Sequence, residues 1–136
     1  MADIQSHVGV YSKALNLRAQ RHEMLASNIA NADTPHYKAR DFNFSQAMEN
    51  ALGGRNVGGS LAMNVTRQGH LAGAGGVSFA NVQFRKEVQS SVDGNTVDMD
   101  VERAQIAENA LHYQMLTQLI SDKFSGLRRA MSSAQG

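Results

Sequence analysis

Apolar residues recur in two long stretches, one at each end of the chain, with a glycine-rich middle between them. From Val8 to Asn31, the residues Val8, Tyr11, Leu15, Leu25 and Ile29 fall on alternating three- and four-residue steps, with Arg18 and His22 in the intervening places. That spacing predicts a helix with an apolar seam. A second stripe runs through Val10, Ala14, Leu17 and Met24. From Asp98 to Met131 the pattern returns in Ile106, Ala110, Tyr113, Thr117, Ile120, Phe124, Leu127 and Met131, with a further stripe at Leu111, Met115 and Leu119. Two apolar faces on one helix exceed what one packing partner covers, so contacts to other molecules are expected besides those between the two helices. A wide stripe in an ordinary bundle is the simpler alternative.

The boundaries of these helices carry local signals. Thr34 precedes Pro35, the only proline, and a proline disfavours helical backbone in the residue before it while offering no amide donor itself. Asn28, Asn31, Asp33 and Thr34 have short side chains that bond back to nearby backbone, which favours an exit into a turn. At the other boundary Asp93-Gly94-Asn95 is a turn signal. Beyond it Asp98, Asp100 and Glu102 place negative charge at the start of the last helix, where the positive end of its dipole lies. Lys123, Arg128 and Arg129 suit its far end.

Between the helices, Tyr37 to Phe44 is expected to run extended, followed by a short helix over about 45–52. The stretch from Gly53 to Gly76 holds eight of the twelve glycines, so backbone entropy opposes a regular packed element there. Leu61 to Thr66 is a candidate strand, and Val82, Phe84 and Val88 mark a weaker second one. The expected fold is mainly α: long N- and C-terminal helices packed as an antiparallel, coiled-coil-like pair around a small irregular middle region with room for a short β-hairpin. The division is 1–34 for the first assembly helix, 35–97 for the extended and glycine-rich middle, and 98–136 for the second helix, within one structural domain.

With 136 residues and 42% apolar content, the chain suits one modest domain whose small core leaves little spare stability. A net charge of +1, from 13 basic and 12 acidic residues, argues against a nucleic-acid partner, which requires a basic stripe. The absence of cysteine removes disulfides and thiol chemistry. The opening Met-Ala-Asp-Ile-Gln-Ser-His lacks a basic leader followed by an apolar run, so no cleavable secretory signal is expected, and no stretch approaches the ~18 apolar residues of a membrane span.

Apparent chemical motifs are weak. Gly73-Ala-Gly75-Gly76 follows no convincing strand and lacks the lysine and hydroxyl of a phosphate cradle. Glu108 and His112 stand one helical turn apart but have no third ligand at helical spacing. His22 on the seam suits packing better than proton transfer, and His7, His36 and His70 have no visible acidic or nucleophilic partner. No catalytic residue, cofactor site or metal site is expected, and the chain is read as a non-enzyme.

The run from Ala14 to Asp41, ALNLRAQRHEMLASNIANADTPHYKARD, closely resembles the N-terminal signature of bacterial flagellar rod and hook axial proteins. A second block, DGNTVDMDVE from Asp93 to Glu102, followed by AENALHYQ from Ala107 and KFSGLR from Lys123, resembles the C-terminal half of the proximal rod members. That family usually has glycine at the place of His36, so the turn after Pro35 can differ in detail. The resemblance implies a structural subunit of the proximal rod. Such a subunit is exported through the flagellum's own type III apparatus without signal cleavage and polymerises into a hollow drive shaft that crosses the periplasm. Its implied partners are copies of itself, other rod proteins and the adaptor at the MS ring. Another rod or hook axial protein, and a soluble helical adaptor, are the alternatives. The residues expected to carry assembly are Leu15, Leu25, Ile29, Ile106, Tyr113, Ile120, Phe124 and Leu127, with Asn28, Asn31, Thr34, Pro35 and Tyr37 shaping the turn.

Overall fold

The computed structural model describes residues 2–54, 80–85 and 92–133. In chain order the elements are α1 (Ala2–Ala30), β1 (Arg40–Asp41), α2 (Phe44–Leu52), β2 (Gln83–Phe84) and α3 (Met99–Ser133). The fold is mainly helical, as the two apolar stretches predict, and α1 packs chiefly on α3. The pair is antiparallel: Asn28 near the end of α1 meets Glu102 near the start of α3, while His7 and Val8 lie by Gly126 and Leu127. Among the described residues no helix is long and apolar enough to cross a membrane.

Helix α1 begins at Ala2, earlier than the apolar stripe suggests, because nothing in the polar residues before Val8 breaks a helix. Gly9 is tolerated in an open position where an added Cβ would meet nothing within 4 Å. The helix ends as Thr34-Pro35 requires. Its last turns tighten through bonds from the amides of Asn31 and Ala32 to Asn28 and Ile29, each 3.1 Å. Asn95 then closes the exposed end from across the chain: its side-chain amide donates to the carbonyls of Asn31, Ala32 and Thr34 at 2.8–3.0 Å. The carbonyls of Asn31 and Thr34 also accept from the Thr34 and Tyr37 amides within the turn, so Asn95 ties an already folded turn to the 93–97 segment.

Helix α3 starts where the acidic residues predict. The Asp98 carboxylate accepts from the amides of Asp100 and Val101 at 3.0 and 3.2 Å, a side-chain cap for the first turn. Its far end is Ser133, so Lys123, Arg128 and Arg129 stand before the last turn rather than in it. Helix α2 is capped by Asn43, whose side chain accepts from the Gln46 amide, and it ends at Gly53. Its small residues Ala47 and Ala51 are buried, joining Leu17, Phe42 and Ala80 in one cluster.

Among the described residues the sheet has two short strands. Strand β2 pairs antiparallel with β1, Arg40 opposite Phe84 and Asp41 opposite Gln83. The ribbon therefore joins segments on either side of the glycine-rich stretch instead of forming a local hairpin. The candidate strand Leu61 to Thr66 lies outside the described residues, as does Val88.

Candidate functional site

The surface of interest is the α1/α3 pair, and burial along it is uneven. Among the described side chains, those buried on α1 are Ala14, Leu17, Arg18, Leu25 and Asn28, and those buried on α3 are Glu102 and Asn109. Beyond Asn109 no described residue of α3 is buried, and six large apolar side chains stand exposed: Leu111, Tyr113, Met115, Leu119, Phe124 and Met131. Exposed apolar side chains of this extent, on two stripes of one helix, mark an interaction surface. Toward the open ends, His7 and Val8 of α1 and Leu119, Gly126 and Leu127 of α3 border a notch of about 540 Å³. A second notch of about 390 Å³ lies alongside Ala19, His22, Ala110 and Tyr113.

The inner half of the pair is held by polar groups. Asn28, fully buried, satisfies all its side-chain capacity: its amide donates to the Arg40 carbonyl at 2.8 Å and to Glu102 Oε2 at 3.2 Å. Its carbonyl oxygen accepts from the Arg40 amide at 3.0 Å and the Tyr37 hydroxyl at 3.4 Å. The two bonds to Arg40 imitate a strand neighbour and fasten β1 to α1. About two helical turns further along α3, the Asn109 side chain donates to the Arg18 carbonyl at 2.9 Å and accepts from the Arg18 guanidinium at 3.4 Å. That guanidinium also lies 3.7 Å from the centre of the Phe44 ring. Burial and the nearby charge of Arg21 both push Arg18 below the usual arginine value.

Around Asp41 the charges pair closely. Arg21 donates two bonds to the two Asp41 oxygens, both 3.0 Å, and a third to Gln105 at 2.6 Å. Arg85, just after β2, donates to Asp41 Oδ2 at 3.0 Å and to Glu102 Oε1. The bonds it donates to Asp41 hold Arg21 above its ordinary value against its own burial.

Of the residues expected on the seam, Leu25 is fully buried. Leu15, Ile29, Ile106, Ile120 and Leu127 are half-buried, while Tyr113 and Phe124 are 43% and 53% exposed. The turn residues come together. Asn31 bonds back to the Ser27 carbonyl at 2.8 Å, Thr34 donates to the Asn31 side chain at 3.2 Å, and Tyr37 reaches Asn28. Pro35 is exposed at the tip of the turn. His36 takes φ of +62°, a left-handed backbone that glycine adopts readily and other residues adopt at a cost. Its amide donates to the Asp93 carbonyl at 3.0 Å, which lays the 93–97 segment against the turn.

Periodicity of apolar residues missed Glu102, Asn109, Asp41 and Arg85. The first two carried a readable signal: they are seven residues apart on α3, with Gln105 between them at the third step. Glu108 and His112 approach to 3.8 Å on a largely exposed face, and among the described residues no group of three metal-ligating side chains forms.

This geometry defines a paired-helix structural protein whose outward working surface is a helix face. A profile described as "Flagella basal body rod protein" matches residues 10–38. The chain is 46% identical over 123 residues to the flagellar basal body rod protein FlgB of Escherichia coli (strain K12), covering 89% of each chain. It is 44% identical to the protein of that name from Salmonella typhimurium, over 88% of each. To that from Cereibacter sphaeroides it is 40% identical over 131 residues, 96% of this chain and 98% of the relative. The chain belongs to the flagellar basal body rod protein family.

Proposed function

We propose that this chain is a structural, non-enzymatic subunit of the proximal rod of the bacterial flagellum. The single observation that carries the assembly role is the outer half of α3. It extends past its last buried residue, Asn109, with six large apolar side chains facing solvent. A lone chain gains little by ordering that segment, whereas neighbouring subunits that cover it gain about 25 cal/mol for each Å² of apolar surface removed from water. In this reading the helix pair lines a hollow shaft that transmits torque across the periplasm and lets later exports pass. Its neighbours are copies of itself, other rod proteins and the adaptor at the MS ring, and it arrives by type III export without signal cleavage.

The test is complementation. In cells lacking their own proximal rod protein, the wild-type chain should restore swimming in soft agar. Ile120→Asp and Phe124→Asp should not, because each puts a charge into a subunit contact. Phe124 is 53% exposed in the single chain, so Phe124→Asp should leave monomer stability within about 0.5 kcal/mol of wild type. Full motility in both variants would refute the assembly face.

A further inference from the structure

We propose that Arg85 is a latch that makes docking of α3 on α1 conditional on the seating of residues 80–85 against β1. The proposal concerns the single chain and does not rest on its place in the rod. Glu102 is fully buried on the first turn of α3, with its two oxygens served from two other elements. Asn28 of α1 donates to Oε2 but is neutral; Arg85, carried by the β2 segment, donates to Oε1 and is the one cation bonded to this carboxylate among the described residues.

The other cations nearby are committed elsewhere. Arg21 is bidentate on Asp41 with its remaining bond to Gln105, and Arg18 holds Asn109 and the Phe44 ring. Arg21, Asp41 and Glu102 by themselves therefore bring one positive charge to two buried or half-buried carboxylates. Arg85 restores the balance by touching both. Its position is set by backbone as well, since its amide donates to the Ala39 carbonyl at 2.8 Å beside the β1–β2 ribbon. Helix α3 thus meets α1 through a buried anion whose one bonded cation among the described residues comes from neither helix, with Arg21 of α1 attracting it from farther off. Removing one member of such a pair strands a buried charge, whereas replacing both with apolar groups of similar size is often neutral. That asymmetry separates a latch from ordinary packing.

Amide hydrogen exchange on the full isolated chain tests it, comparing wild type, Arg85→Met and the double variant Arg85→Met/Glu102→Met. In wild type, residues 99–110 are expected to be protected. Arg85→Met should speed their exchange by roughly a hundredfold or more. The double variant should bring residues 99–110 back to within about threefold of wild type while residues 80–85 stay fast, the mark of helix docking released from the latch. Three results would each overturn the proposal: wild-type residues 99–110 already unprotected, Arg85→Met exchanging there like wild type, or the double variant no slower there than the single one. Swimming of complemented cells reads the rod function separately.

Discussion

Asn28 does the work of a strand neighbour from within a helix. It supplies donor and acceptor to both backbone groups of Arg40, and a further donor to buried Glu102. Alanine at that position would strand these groups in the interior. We expect Asn28→Ala to cost about 2–4 kcal/mol in denaturant unfolding, the scale of buried polar groups left unpaired. His36 is the opposite case, a residue at odds with its backbone. With φ at +62°, the turn accepts histidine under strain. The backbone bond to Asp93 needs no side chain, so His36→Gly should raise stability by about 1 kcal/mol, read as a gain of a few degrees in thermal melting.

At the scale of elements, the two helices are alike in composition and unlike in burial along their length. Among the described side chains, those buried on α1 lie from Ala14 onward and those buried on α3 lie no farther than Asn109, while the six exposed large apolar side chains of α3 all lie beyond Asn109. Hydrogen exchange on the isolated chain should follow that division, with amides of residues 14–30 and 99–110 protected and those of 2–12 and 115–133 exchanging near the rate of unstructured peptide. Uniform protection along both helices would mean that α3 is stable without neighbours.

The helix limits were legible for plain reasons: Thr34-Pro35 stops one helix, and the Asp98 carboxylate caps the next. The inner contact of α3 was not, because a search for apolar periodicity passes over the polar residues Glu102 and Asn109 that sit against α1. Tyr113 and Phe124 fit the same steps as Ile106 yet face solvent, since the period of a helix identifies a stripe but not which of two stripes meets the partner. Strand β2 is two residues long and its partner lies across the glycine-rich stretch, so no local pattern announces the Arg85 contacts.

For the whole molecule, the charge cluster joins α1, β1, β2 and α3, and its titration belongs to the global fold. Burial raises the Asp41 carboxyl, but bonds from Arg21, the Phe42 amide and Arg85 outweigh it and hold the group below its ordinary value. A carboxyl with a depressed folded value binds its proton more readily when unfolded. Its stabilisation is complete well above the ordinary aspartate value of about 4 and is lost as pH falls through the lower folded value. Acid titration followed by circular dichroism should therefore show stability flat near neutrality and falling below about pH 4. Asp41→Asn should flatten that fall while lowering stability at pH 7.

The antiparallel course of α1 and α3 puts Ala2 and Ser133 toward one end of the pair, the same end as the notch beside His7 and Leu127. A fluorescent label fused to either extremity would land on the very region left uncovered for other molecules. Reporters for watching this protein in living cells therefore belong away from both extremities.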